Sequence, residues 1–415
     1  MCMTRIENLR RRIEEEEQLY IPGYVGERVR NCINDFGWAS YTDDCINDAW
    51  RELKREYGRI SGGDRVTAEE LYRTECHIIA YLRYYFFLNY PVIRWILQKN
   101  LENGIAIIPG NGAVKILDFG AGPGTASMAI SDFLEDAREI GIYENAKIKL
   151  YFDEGRGLFG ECYKNMLGGH ERVESIRYIG EIGYRENFCD AVIISYVLSE
   201  LDNRMRRWYL IQIQKCLRNG GYLIIIDSAY KGVRRYVWDF LRDREIRENF
   251  RMVYASGPLC SEQSCEYWDR CYRNSVNEKD LRTPEEMTEE MKRFFEATRQ
   301  GKVKFVCCVL EKIEVQGGFA DPSELREYRR DEEIKLRGWV IKRTSTERAE
   351  NITLCHGLGP CNLAFWRERR AVFDQIGNRN ITEGDILWIE GDYSGSSFND
   401  LHSVYVSRVI EHIKK

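Results

Sequence analysis

The stretch "ILDFGAGPGTASMA", residues 116–129, decides the fold. A short apolar run ends in Asp118 and Phe119, three glycines alternate at Gly120, Gly122 and Gly124, and a small-residue helix pattern begins at once. Alternating glycines let a backbone turn tightly and approach a ligand closely. The spacing is G-x-G-x-G with Thr125 where a dinucleotide fingerprint needs its third glycine, and no Gly-Lys-Ser/Thr follows, which excludes a phosphate-binding P-loop. On either side, "KIKLYF" (147–152), "SIRYIG" (175–180), "DAVIISYV" (190–197) and "GYLIIID" (221–227) read as buried strands separated by helical stretches. This is the pattern of a doubly wound α/β domain.

An acid two residues before the first glycine is the pattern of S-adenosylmethionine (SAM) methyltransferases, because SAM has no pyrophosphate to seat and carries an ammonium. Asp118, Gly120, Gly122, Pro123 and Gly124 are therefore expected at the cofactor. The second strand ends "YFDEG", placing Asp153 where ribose hydroxyls would sit, and "IGEI" puts Glu181 near an adenine edge. Each acid alone is equally a solvated loop residue; their recurrence at successive strand ends carries the reading. After the fourth strand stand Ser195, Tyr196, Ser199 and Glu200, of which Ser195, Tyr196 and Glu200 are the expected catalytic residues. No cysteine stands in that loop, which argues against chemistry that needs a thiol to activate a ring carbon. An amine or hydroxyl acceptor needs only positioning and a group to hold its proton.

The chain has 415 residues, more than one core comfortably holds. Residues 1–105 read as a helical N-terminal domain. The α/β Rossmann-like domain takes 106–315, with a cysteine-rich insertion at 257–301. Residues 316–415, with five or so strands, turn signals and a short helix at "AVFDQIGNR", suggest an OB-like β-barrel. Charged residues make up 31% and Tyr numbers 25, a mixture that suits a thermophile. The net charge of −5 means that any nucleic-acid binding needs a local basic face. "FWRERRAVF" offers one, with Phe365 and Trp366 beside Arg367, Arg369 and Arg370, though an amphipathic helix explains it as cheaply. The charged N-terminus shows no signal peptide, and the apolar run "YYFFLNYPVIRWIL" is broken by Asn89, Pro91 and Arg94, so no membrane span and a cytoplasmic location are expected.

Fourteen cysteines in a reducing compartment favour metal binding or burial over disulfides. In "PLCSEQSCEYWDRCYR" (258–273), Cys260, Cys265 and Cys271 are spaced C-x4-C-x5-C, too open for most zinc knuckles and compatible with an iron–sulfur loop. Disulfide or plain burial stays open on spacing alone. Cys307, Cys308, Cys355 and Cys361 are candidates for a further ligand.

Taken in order, "ILDFGAGPGTASMA", "DAVIISYVLSEL", "GYLIIIDSAYKGVRRYVWDFL", "SGPLCSEQSCEYWDRCYR" and "ITLCHGLGPCN" resemble the methyltransferase-like proteins associated with the small ribosomal subunit of mitochondria and bacteria. The resemblance covers roughly residues 75–365 and implies a four-iron (4Fe-4S) cluster held by Cys260, Cys265, Cys271 and Cys355, with zinc the alternative metal. It further implies a SAM-dependent methyltransferase of small-subunit rRNA acting on a base amine such as cytidine N4. The alternative is a SAM-binding, iron–sulfur ribosome assembly factor without catalysis. The implied partner is small-subunit rRNA or the pre-ribosomal small subunit.

Overall fold

The computed structural model describes residues 2–15, 18–62, 64, 66–102, 105–108, 112–154, 157–241, 243–255, 277–299, 302–313, 330–331, 333–345, 347–355, 360–382, 386–398 and 401–413. The chain divides into two units, Met1–Val233 with Glu278–Cys307, and Arg234–Asn277 with Cys308–Lys415. The N-terminal helices and the glycine loop thus share one unit.

That unit opens with α1 (Cys2–Ile13), two-residue strands β1 (Glu14–Glu15) and β2 (Gln18–Leu19), then α2 (Gly23–Asp35), α3 (Asp43–Gly62), α4 (Ala68–Leu71), α5 (Glu75–Arg83) and α6 (Tyr85–Glu102). In α3, Ile46, Ala49, Trp50, Leu53 and Ile60 recur at helical spacing and are buried, so one apolar stripe fixes the helix. A capping box between Thr67 and Glu70 starts α4. Helix α6 is buried almost all round, which explains its apolar run. Its Arg94 is fully buried and ion-paired with Asp136. No helix among the described residues is long and apolar enough to cross a membrane.

Strands and helices then alternate: β3 (Ala113–Phe119), α7 (Thr125–Glu139), β4 (Lys147–Asp153), α8 (Gly157–Leu167), β5 (Val173–Tyr178), α9 (Ile179–Ile182), β6 (Cys189–Ser195), α10 (Asn203–Cys216) and β7 (Leu217–Ser228). All four ladders among these strands are parallel, in the spatial order β5-β4-β3-β6-β7. The order reverses between β3 and β6. At that switch point the connections leave in opposite directions and open a crevice at the carboxyl ends of the strands.

Helices α11 (Lys231–Leu241) and α12 (Arg244–Asn249) follow; Asp243 caps the second through the Glu245 N–H and so separates them. Next come β8 (Phe250–Ala255), β9 (Asn277–Leu281), α13 (Glu289–Arg299) and β10 (Lys302–Lys312). Beyond β7 the sheet continues through β10, β9, β2 and β1. Strand β9 escapes the sequence reading because "NEKDL" lacks the apolar, β-branched signature of its neighbours.

In the second unit, β8 pairs antiparallel with the end of β10, from Cys308 opposite Ala255 to Lys312 opposite Phe250. The rest of that unit contains β11 (Glu333–Ser345), β12 (Ala349–Cys355), β13 (Pro360–Trp366), α14 (Arg370–Arg379), β14 (Ile386–Phe398) and β15 (Leu401–Ile413). The strands close into a barrel in the order β11-β12-β13-β15-β14. Its ladders are antiparallel except β13 with β15, which is parallel. Leu336, Val340, Ile352, Leu354, Leu363, Phe365, Ile389 and Val404 fill its core. At Gly391 an added β carbon would lie 2.6 Å from the Tyr405 carbonyl oxygen, so only glycine permits this close strand approach beside a register shift.

One cysteine expectation is corrected. Packing of α3 against α5 brings Cys45 and Cys76 to a Cα separation of 6.3 Å, and the two are joined by a disulfide. Cys307 and Cys308 are both buried in β10, as a core role requires.

Candidate functional site

The loop after β3 is pinned from below. The N–H groups of Gly120 and Ala121 donate to the Asp153 carbonyl at the end of β4, at 2.9 and 3.2 Å. Gly120, with φ of +60°, leaves no room for a side chain, because a β carbon there would meet Val197 Cγ2 at 2.4 Å. Gly122, with φ of +51°, is the opposite case: no atom lies within 4 Å of the same position, so its bare face opens on free space. Pro123 and Gly124 are buried behind it, and Gly124 caps α7.

A cavity of about 850 Å³ lies against this loop. Gly120, Gly122, Glu154, Ser195, Tyr196 and Glu200 are among its lining residues. Tyr196 holds a left-handed backbone, with φ of 58°, and its N–H donates to the Ile226 carbonyl at 2.9 Å. Such a conformation in a bulky residue is uncommon and strained, and it turns the chain sharply at the carboxyl end of β6.

The acids sort differently from the sequence expectation. Asp118 is fully buried beneath the loop, where Oδ2 accepts from Ser127 Oγ at 2.7 Å, and Ser127 is in turn 2.6 Å from the Tyr163 hydroxyl. Burial pushes its carboxyl up to about 7. It supports the loop from below and is not among the residues lining the cavity. Asp153 turns to Tyr184, whose hydroxyl donates to Oδ2 at 2.8 Å, and burial raises its pKa. The next residue, Glu154, is the acid at the end of β4 that lines the cavity, and it accepts the Gly122 N–H at 2.8 Å. Sequence reasoning missed it. Glu154 stands one residue past the end of β4, so strand alternation in "FDEG" does not give its direction. Glu181 lies exposed on α9, away from the cavity lining, because "IGEI" forms a helical turn rather than a strand end.

Glu200 is the most heavily supported of these groups. Its Oε1 accepts from the hydroxyls of Tyr57 and Tyr72 at 3.3 and 3.4 Å, and those hydroxyls lie 2.6 Å apart. Withdrawal from water, reinforced by the charges of Glu154 and Asp227, pushes its carboxyl up to about 8 against the two tyrosine hydrogen bonds. At neutral pH it is mostly protonated. A shifted acid in a crevice is the physical mark of a group able to hand protons on.

Cys260, Cys265 and Cys271 lie outside the described residues. Cys355 ends β12, with its backbone opposite Pro360 and Trp339. Cys361 is buried in the barrel core. Among the described residues no group of three or more His, Cys, Asp and Glu side chains could hold a metal ion. Phe365 is likewise in the barrel core and cannot face a ligand, whereas Arg367, Arg369 and Arg370 are exposed and Trp366 is half-buried against Tyr405.

A parallel sheet with its switch point at a left-handed glycine loop, opening on an acid-lined cavity, defines a Rossmann-like α/β domain. The chain belongs to the mitochondrial small ribosomal subunit Rsm22 family, whose model matches residues 75–320. No curated protein matches the chain. Among solved structures it is similar to a provisionally assigned class I SAM-dependent methyltransferase of Listeria monocytogenes, at 11% identity over 71% of this chain and 90% of that one, with a TM-score of 0.36. It is similar also to a provisionally assigned RNA methyltransferase of Pyrococcus horikoshii, at 14% identity over 54% and 81%, with a TM-score of 0.30. An arsenic(III) SAM methyltransferase of Chlamydomonas reinhardtii aligns at 16% identity over 51% and 67%, with a TM-score of 0.27.

Proposed function

We propose that this chain is a SAM-dependent methyltransferase of small-subunit rRNA, acting on an exocyclic base amine such as cytidine N4. The observation that carries the reading is the cavity where the bare face of Gly122 and the carboxylate of Glu154 meet the β6 turn with Tyr196 and Glu200. A cradle that a β carbon at Gly122 would invade fits a cofactor pressed against backbone, and Glu154 offers an acceptor for hydroxyl or ammonium hydrogens. When bound there, SAM supplies an electrophilic methyl group. An acceptor nitrogen that received this methyl would have to shed a proton. Glu200, when ionised, is the lining carboxylate that takes it. Tyr196 positions the acceptor.

The barrel supports an RNA substrate. Five strands ordered β11-β12-β13-β15-β14, with α14 between the third and fourth, match an OB-type arrangement. Exposed Arg367, Arg369 and Arg370 give that unit a basic edge for phosphates. Cys260, Cys265 and Cys271 would hold the iron–sulfur cluster or zinc with Cys355; no catalytic step is assigned to it.

Deleting the gene and mapping methylated nucleotides in small-subunit rRNA tests the reading, with add-back of the native chain or of Gly122→Arg. A methyl mark lost on deletion should return with the native chain alone, since the arginine would fill the cradle. If every modification persists while subunit assembly fails, a non-catalytic assembly factor replaces the enzyme. Iron and sulfide assay after anaerobic purification decides the metal; zinc without sulfide rules the cluster out.

A further inference from the structure

A second cavity, of about 340 Å³, lies in the same unit, and Tyr196 lines both it and the larger one. Tyr57 supplies a second link, since it lines the smaller cavity while its hydroxyl donates to Glu200 on the larger. The volume falls within the roughly 300–1,000 Å³ of small-ligand sites. Its walls are aromatic. Tyr85 packs 4.7 Å from Tyr57 and 5.0 Å from Tyr84, centroid to centroid, and Phe294 carries Lys54 over its face at 4.0 Å. Flat rings of this kind select flat rings.

One polar group in that lining is only half satisfied. Asp227, near the end of β7, is 2% exposed. Its Oδ1 accepts the Ser228 N–H at 2.8 Å, while Oδ2 is buried and finds no hydrogen-bond partner among the described residues. A buried polar atom left unsatisfied is costly, and a bound molecule that satisfies it gains that difference.

We propose that the smaller cavity is the acceptor slot, and that Asp227 selects a heteroaromatic ring bearing an exocyclic amine beside a ring nitrogen, as in cytosine or adenine. The proposal rests on the methyltransferase reading and adds where the acceptor sits and which side chain chooses it. Burial pushes the Asp227 carboxyl up to about 8, so at neutral pH it is an acid that both donates and accepts. With Oδ1 already accepting from Ser228, the proton belongs on Oδ2. Oδ2–H then donates to the ring nitrogen and the second lone pair of Oδ1 accepts from the amine. A uracil or hypoxanthine ring in the same pose sets its carbonyl against Oδ1 and its N–H against Oδ2–H, two repulsive contacts in place of two hydrogen bonds. Tyr196, common to both linings, is the side chain past which the ring's amine would have to reach a methyl donor in the glycine-loop cavity.

Binding of cytidine, uridine, adenosine and inosine to the full chain at pH 7, by saturation-transfer NMR with titration, tests this. Cytidine should outbind uridine, and adenosine inosine, by about tenfold or more, the scale at which a site built for hydrogen bonds rejects the wrong partner. Asp227→Leu should erase both preferences. Asp227→Asn, whose amide reproduces the donor and acceptor of the neutral acid, should keep them. Equal binding within both pairs, no binding by any of the four, or selectivity that survives Asp227→Leu overturns the proposal. The native selectivities decide even if Asp227→Leu does not fold. SAM binding and methyl transfer to small-subunit RNA, measured on the same preparations, fail separately. Their absence with selectivity intact overturns the enzyme reading, whereas unselective rings with transfer intact overturn the slot.

Discussion

A β carbon on Gly120 would stand 2.4 Å from Cγ2 of Val197, so the glycine loop after β3 and the turn after β6 interlock at that point. Gly120→Ala must therefore both overpack Val197 and force a left-handed alanine. We expect a loss of about 2–4 kcal/mol in stability and a collapse of SAM affinity. Adding Val197→Ala should recover the packing share and leave the backbone share. Denaturant unfolding and calorimetric SAM titration of the single and double variants check both.

Stability should fall as the solution is made more alkaline. Asp118, Glu200 and Asp227 are raised to about 7, 8 and 8 in the folded chain. The unfolded chain releases the same protons near pH 4. Between about pH 4 and pH 8 the folded state binds more protons than the unfolded one, so each group removes up to about 1.4 kcal/mol per pH unit as pH rises. Below the unfolded values the penalty is absent, and above about pH 8 it stops growing. Melting temperatures should decline from pH 5 to about pH 8 and level off above it, and Asp118→Asn or Asp227→Asn should flatten the curve. A flat native profile contradicts the burial of these groups.

Glu200 should govern the pH–rate profile of methyl transfer. With its carboxyl raised to about 8, turnover should climb toward that pH as the ionised base forms, until loss of the Asp227 proton, also near 8, weakens acceptor binding. Tyr57→Phe deletes a hydrogen bond that holds the value down, so the profile should move by roughly half a unit to higher pH. Glu200→Gln should lower turnover by about 10²–10⁴ with little change in SAM affinity. Single-turnover rates across pH on the three proteins separate these outcomes.

The Cys45–Cys76 bridge closes a loop across a sequence separation of 31 between α3 and α5. A loop of that size stabilises by about 3–4 kcal/mol in the chain-entropy account. Paired Cys45→Ser and Cys76→Ser substitutions should lose most of that, and reductant should shift only the native chain's denaturation midpoint. Unfolding curves with and without reductant are the check.

The doubly wound order was legible because parallel strands buried on both faces write themselves as apolar runs, and the glycine loop marks the switch point. Glu154 was not, since the sequence cannot say which way the chain turns once it leaves the strand at Asp153. The strand end read at Glu181 was not there for a related reason: "IGEI" carries a strand's composition but curls into a helical turn. The role of Asp118 was obscured by Ser127 of α7, which claims its carboxyl and is itself held by the Tyr163 hydroxyl of α8. Cysteine spacing alone could not pair Cys45 with Cys76, which meet only because two helices pack side by side. Asp227 gave no signal beyond an acid after an apolar strand, and its significance appears only once the cavity beside it is seen.

The barrel closes through β15, which joins β13 on one side and β14 on the other. A stop codon or frameshift falling just before Leu401 therefore deletes a stave rather than a tail. Two strands would be left with open edges, each a template for pairing with another molecule. Such late-truncated alleles should be recovered as insoluble protein and behave genetically as nulls, although the glycine-loop cavity would be encoded in full.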